Sequence, residues 1–320
     1  MHTNQGIRRA IAFAQAYSLQ TPVLLAPMAG ACPTALSIAV MRAGGMGACG
    51  ALLMTPKEIL DWGRRVTEAA GTAFQMNLWI PDPAPRRDPA NEAAVREFLG
   101  RWGPPVAAQA GDAVPPDFDA QCQALLAARP AVISSIMGVY PPGFVAQLHA
   151  QGIRWFATVT TVAEALAAER AGADAIVAQG MEAGGHRGSF DPAQAQIQMV
   201  GLFSLLPAIV DAVSVPVIAT GGIGDGRGVA AALSLGASAV QIGTGFLRAP
   251  EAGIAPAWAD ALGPCRPEQT RVTRAFSGRA GRSLATRYTI AAAADDAPEP
   301  ALPGTARAYP GHAQRGGPGR

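Results

Sequence analysis

The chain has 320 residues, 49% of them hydrophobic, and a formal net charge of +2; that is enough for one large barrel or two smaller domains around a sizeable core. Lys57 is the only lysine and the arginines are scattered except near the C-terminus, which excludes the basic stripe that a nucleic-acid backbone needs. Cys32, Cys49, Cys122 and Cys265 lie far apart with no CxxC pair, against a zinc site or a disulfide scaffold and in favour of a reducing cytoplasm.

In chain order, the opening MHTNQGIRRAIAFAQAYSL imitates a signal peptide, but Gln15, Ser18 and Gln20 interrupt its apolar run and favour an amphipathic first helix. Eight short apolar runs follow: VLLAP from Val23, MGACGA from Met46, FQMNLWI from Phe74, AVISSIM from Ala131, WFATVT from Trp155, AIVAQG from Ala175, PVIATGG from Pro216 and AVQIGTG from Ala239. Unbroken Ala/Val/Ile runs read as strands buried on both faces, and eight of them alternating with helical patterns predict an α/β fold, a TIM (β/α)8 barrel. TVAEALAAERAGA carries a capping-box pattern in Thr161 and Glu164, and DGRGVAAALSLGA places Asp225 at an N-cap. The apolar run MVGLFSLLPAIV is broken by Ser204 and Pro207, too short to span a bilayer, and is read as a buried helix.

Two intervals depart from that rhythm. The proline-rich stretch opening with IPDPAPRRDPANEAAVREFLG is longer than one crossover helix requires, and helices such as APAWADAL follow Arg248. They predict a lid, or part of a second small domain, over the barrel mouth. The expected division is 1–80 plus 129–250 for the barrel, 81–128 plus 251–290 for the smaller domain, and a disordered tail over 291–320, where Pro, Gly and Ala dominate without apolar periodicity.

Barrel sites lie at the C-terminal ends of the strands, and phosphates are often held by the last two loops. Here those loops read ATGGIGDGRG, with Gly221 and Gly222, and QIGTGF, with Gly243 and Thr244; their backbone N–H groups can cradle a phosphate without lysine. At the first strand LLAPMAG offers a flat backbone ledge at Pro27, Met28, Ala29 and Gly30, and the third strand carries the amide of Asn77 near its end. After the sixth strand comes VAQGMEAGGHRGSF, where His186 stands among Gly180, Gly184, Gly185 and Gly188. An imidazole at the barrel rim suits proton abstraction or hydrogen bonding to a developing charge. Metal ligation is not expected, since Glu182 is its only neighbour of ligand type and no second histidine follows.

In this order APMAG, FQMNLW, VAQGMEAGGHRG, PVIATGGIGDGRG, AVQIGTGF and TRAFSGRAGR resemble the nitronate monooxygenase family, formerly the 2-nitropropane dioxygenases, over about residues 20–290. The resemblance implies a TIM-barrel enzyme with non-covalent FMN and a small α/β substrate-covering domain, which oxidises alkyl nitronates with O2 to a carbonyl product and nitrite. By motif, Pro27 and Met28, with Ala26, would border the flavin ring, and Asn77, Gln179 and Gly180 would reach it. Gly184 and Gly185 join that cofactor set, while Gly221, Gly222, Gly243 and Thr244 would hold the phosphate. His186 would face the nitro group as base or hydrogen-bond partner. Expected partners are a small-molecule nitronate and O2, neither nucleic acid nor membrane, with a homodimer left open. Two alternatives stand beside this reading: a flavin-dependent enoyl-acyl-carrier-protein reductase consuming NAD(P)H, and a flavin-binding accessory protein without turnover.

Overall fold

Eight of the strands pair in parallel and in chain order around a nearly closed barrel. The computed structural model describes residues 2–83, 87–294 and 297–298. Among these the strands are β1 (Val23–Leu25), β2 (Gly47–Gly50), β3 (Phe74–Trp79), β4 (Val132–Ile136), β5 (Arg154–Val159), β6 (Ala175–Gln179), β7 (Gly185–His186), β8 (Val217–Thr220), β9 (Ala239–Ile242), β10 (Thr270–Thr273) and β11 (Gly281–Leu284). The large sheet runs β1-β9-β8-β6-β5-β4-β3-β2. A parallel bridge between Leu24 and Met46, with Leu25 N donating to Met46 O at 2.9 Å, joins β1 to β2. Each predicted apolar run coincides with one of these barrel strands, β5 beginning one residue early at Arg154.

Period-two alternation sorts the side chains of each strand. On β5, Trp155, Ala157 and Val159 face the surrounding helices, while Phe156 points into the barrel with Leu24, Met46, Val132, Ala175, Val177, Ile218 and Ala239. The helix His2–Ala16 adds Phe13 to that inner cluster, flanked by Tyr17. The rings of Phe13 and Tyr17 lie 6.1 and 5.3 Å from that of Phe156, and burial of each large apolar side chain contributes about 2 kcal/mol. The amphipathic first helix is thus a floor for the barrel.

Two compact units emerge. The first takes residues 1–80, 116–183 and 188–253, and the second takes 81–115, 184–187 and 254–320. Residues 118–128, expected in the smaller domain, differ: Phe118–Ala128 is a helix of the first unit that packs on the helix Pro56–Ala70. Its Gln121 Nε2 donates to Ala51 O and Met54 O, at 3.1 and 2.7 Å. Conversely, residues 184–187 leave the barrel unit, because β7 pairs antiparallel with β11.

In the second unit β7, β11 and β10 form a three-stranded antiparallel sheet. A separate core gathers Val95 and Leu99 of the helix Pro89–Gly100 with Ala275 and Tyr288. The Tyr288 hydroxyl donates to Ala275 O at 2.6 Å, and its ring meets those of Phe98, Trp102 and Phe276. The helix foreseen in APAWADAL spans Pro256–Leu262. Beyond Ala294, apart from 297–298, the expected disordered tail lies outside the described residues.

Candidate active site

Inside the barrel the inward positions change character along the strands. Above the apolar cluster the inward chains are Gln75, Asn77, Ser134, Thr158, Gln179, Thr220 and Gln241, all buried. Buried amides require partners. Gln75 Nε2 donates to Leu25 O at 3.0 Å and to Gln241 Oε1 at 2.8 Å, Asn77 Nδ2 donates to Ser134 Oγ at 3.1 Å, and Thr220 Oγ1 donates to Gln241 O at 2.8 Å. The result is a polar layer above the apolar cluster, cross-linked between β1, β3, β4, β8 and β9.

The ledge after β1 is fastened by a cysteine. Cys32 Sγ donates to Ala26 O and accepts from Met28 N, both at 3.3 Å, while Trp62 Nε1 donates to Cys32 O at 3.2 Å. Burial pushes the Cys32 thiol up to about 12, so it stays protonated as a donor. Gly243 borders the same ledge: a Cβ there would stand 3.3 Å from Ala26 Cβ and 3.4 Å from Met28 Sδ.

After β8, Gly221 and Gly222 have φ of +115° and +68°, backbone that L side chains rarely adopt. A Cβ on Gly221 would stand 3.1 Å from Ala183 N. Gly180 is glycine for a different reason. A Cβ there would collide with Leu202 Cβ at 2.6 Å and Leu202 N at 2.8 Å, so the protein's own packing demands it. Glu182, considered above only as a metal ligand, accepts from Leu202 N at 3.0 Å through each carboxylate oxygen and caps the helix Leu202–Ala212, whose first turn carries the positive end of its dipole.

On the far side of the EAGGH motif the chain is held by two more side chains of the barrel. Gly188 N donates to Gln179 Oε1 at 2.8 Å, and Phe190 N donates to Glu164 Oε1 at 2.7 Å. The other Glu164 oxygen accepts from Thr160 N at 2.6 Å and Thr160 Oγ1 at 2.8 Å. The capping box foreseen at Thr161 is therefore half present: Thr161 Oγ1 accepts from Glu164 N at 3.1 Å, but the returning carboxylate is spent one residue earlier and on the loop. In that way Glu164 joins the end of β5 to the segment that follows His186.

His186 belongs to the second unit. It pairs with Gly281 in the β7–β11 ladder, and its Nε2 lies 2.6 Å from Ser277 Oγ. Arg279, almost wholly buried, grips Asp82 with two nitrogens: Nε donates to Oδ2 at 2.8 Å, and Nη2 donates to Oδ1. Burial first, and then the Arg279 charge, pull the His186 imidazole down to about 4. The ring is neutral near pH 7.

Ala26, Pro27, Met28, Asn77, Gln179, Gly180, Gly221, Gly222, Gly243 and Thr244 are all contributed by the strand ends and following loops of the first unit. Gly184, Gly185 and His186 lie with Ser277 and Arg279 in the second. Cys32, Gln75, Gln241, Ser277, Arg279 and Asp82 were not singled out from the sequence. The inward parity of FQMNLW and AVQI could have flagged Gln75 and Gln241 as polar residues on otherwise apolar strands. No local signal announces the Asp82–Arg279 pair.

A nearly closed round of parallel strands with a polar layer above an apolar base defines a (β/α)8 barrel of the α/β class. The family model for nitronate monooxygenase matches residues 12–303, and the chain belongs to the nitronate monooxygenase family. It is 38% identical over 297 residues to a nitronate monooxygenase of Pseudomonas aeruginosa, covering 89% of this chain and 83% of that one. A solved nitroalkane oxidase from Streptomyces ansochromogenes superposes with a TM-score of 0.82 at 34% identity, over 95% of this chain and 89% of that one. FabK from Thermotoga maritima gives 0.69 at 28%, over 88% and 76%. The chain is an oxidoreductase, and nitronate oxidation is the activity its family supports. No helix among the described residues is long and apolar enough to cross a membrane.

Proposed function

We propose that the protein binds FMN and oxidises an alkyl nitronate with O2, releasing a carbonyl compound and nitrite. The family match over residues 12–303 carries this reading. The chain offers features that fit the cofactor. The positive-φ backbone at Gly221 and Gly222 leaves no side chain over the loop after β8, and a side chain at Gly243 would crowd Ala26 and Met28. A flat ring would rest along Ala26, Pro27 and Met28, with Asn77, Gln179 and the backbone of Gly180 at its edge. Gly221, Gly222, Gly243 and Thr244 would hold the phosphate, and Gly184 and Gly185 complete the set. When bound, FMN supplies the electron acceptor and the reaction with O2, while the protein sets position and protonation.

The chemistry assigned to the chain's own residues centres on His186. An imidazole held near 4 is a weak base, so it has little drive to take a proton from a neutral nitroalkane at pH 7. As a neutral ring it can still hydrogen-bond a nitronate oxygen. That favours the preformed anion as the substrate, with His186 orienting it rather than creating it. Buried thiols at Cys32, Cys49 and Cys122, and no disulfide among the four cysteines, support a reducing compartment such as the cytoplasm.

The test is anaerobic mixing of the purified yellow protein with propionate 3-nitronate, with NADH in a parallel cell and the visible absorption followed in both. Bleaching by the nitronate alone, with nitrite appearing on readmission of air, is expected. Bleaching by NADH alone would overturn the proposal in favour of a nicotinamide-dependent reductase, and indifference to both would point to a binding protein.

A further inference from the structure

Residues 277–281 enclose one side of His186, and the enclosure is pinned by an ion pair far from it in sequence. Ser277 Oγ meets His186 Nε2 at 2.6 Å and accepts from Arg279 N at 3.4 Å. Arg187 N donates to Ala280 O at 2.9 Å, and Gly281 stands opposite His186 in the ladder. Arg279 then closes its guanidinium on Asp82 with 1% of its side chain exposed, against 9% for Asp82. A buried ion pair is a poor source of net stability, because desolvation offsets attraction. Arginine's rigid fork does, however, fix geometry in a way that a hydrophobic pair does not.

We infer that Asp82 and Arg279 are positioning residues for His186, the pair orienting the imidazole through Ser277 and setting the charge that faces it. This rests on the reading of His186 as the residue that meets the substrate. The other charged groups along these segments are Arg187 beside His186, Arg282 opposite Gly185, and Arg274, whose Nη1 donates to Gly278 O at 3.1 Å. All three are cations, and Asp82 is the carboxylate that pairs with Arg279 beside them. Removing either member of the pair must therefore move the proton affinity of His186 in a direction fixed by sign. Asp82→Asn removes the carboxylate charge that faces Arg279 and makes the imidazolium harder to form; Arg279→Gln removes the cation whose charge opposes it and makes it easier.

The experiment is an NMR titration of the histidine Cε1–H signals of the full FMN-loaded protein, with His186 assigned by its loss in His186→Gln. In Asp82→Asn the His186 signal is expected to stay in its neutral position to the lowest pH at which the protein remains folded. In Arg279→Gln its midpoint should climb toward neutral pH, and the double variant should fall between the two. Equal titrations in the two single variants would overturn the relay. Ser277→Ala removes only a hydroxyl and serves as the variant that folds in any case. It should turn a single imidazole tautomer, read by 15N shifts, into a mixture, and lower kcat about tenfold with little change in KM, the rate equivalent of one hydrogen bond. An unchanged tautomer there would also overturn the relay. If the titrations shift as stated while kcat/KM follows none of them, the relay stands and the role of His186 toward the substrate fails.

Discussion

Glu164→Gln removes one acceptor oxygen from the junction between β5 and the segment after His186. In the native chain one oxygen serves Thr160 N and Thr160 Oγ1, at 2.6 and 2.8 Å, and the other serves Phe190 N at 2.7 Å. A glutamine has a single oxygen, so its NH2 must face either the Thr160 or the Phe190 amide. A hydrogen bond to a charged group contributes about 1.5–3 kcal/mol, and a buried donor left without an acceptor costs about 1–3 kcal/mol. Because Glu164 is only half-buried, water softens the second cost, and about 2–4 kcal/mol is the expected total. At about 2 °C per kcal/mol for a chain of this size, the midpoint of thermal unfolding should fall by about 4–8 °C. Circular dichroism melts of wild type and variant provide the assay, with steady-state nitronate turnover alongside. Turnover should fall as well, since Phe190 is anchored just downstream of His186. A midpoint within about 1 °C of wild type would refute the claim that this carboxylate holds the loop.

His186 ionises near 4 in the folded chain, against about 6.5 when unfolded. The unfolded state therefore binds the extra proton first, and stability contributed by the neutral ring is lost as pH falls from about 6.5 toward 4. For the same reason, the pH profile of kcat/KM should show no histidine inflection between about 5.5 and 8; an inflection near 6.5 that vanishes in His186→Gln would contradict this. Gly221→Ala adds strain at φ +115° and a Cβ 3.1 Å from Ala183 N, and should weaken FMN retention at least about tenfold, measured by fluorescence of released flavin. Full flavin occupancy after gel filtration would argue against a phosphate site there. Burial holds the Cys32 and Cys122 thiols up at about 12, and Cys49 higher still, so Ellman's reagent at pH 8 should modify Cys265 alone in the native protein. Rapid release of more than one equivalent would count against the packing described for the other three.

The barrel was legible because buried parallel strands leave long apolar runs, and VLLAP, WFATVT or AIVAQG cannot be satisfied by one-sided burial. Its polar layer was only partly legible. Asn77 and Gln179 stand out at strand ends, but Gln75 and Gln241 sit mid-strand and gain meaning only once the parity of each strand is known and β3 and β9 are seen to share a hydrogen bond. The antiparallel sheet escaped notice for another reason. β7 is two residues long and has no periodicity to read, and its pairing with β11 depends on contacts almost a hundred residues away. The boundary at 118–128 was missed because a helix that packs on the barrel's outside has the same pattern as one in a separate unit. Gly180 carries a constraint that no motif announces: a Cβ there would meet the start of the helix Leu202–Ala212.

The aromatic floor made by Phe13, Tyr17 and Phe156 seals the barrel at the N-terminal ends of its strands. Above it lie Leu24, Met46, Val177 and Ile218, none of which can hand a proton or a hydrogen bond upward. The polar layer therefore rests on an apolar base, and its amides find partners sideways, from strand to strand, as Gln75 does on β1 and β9.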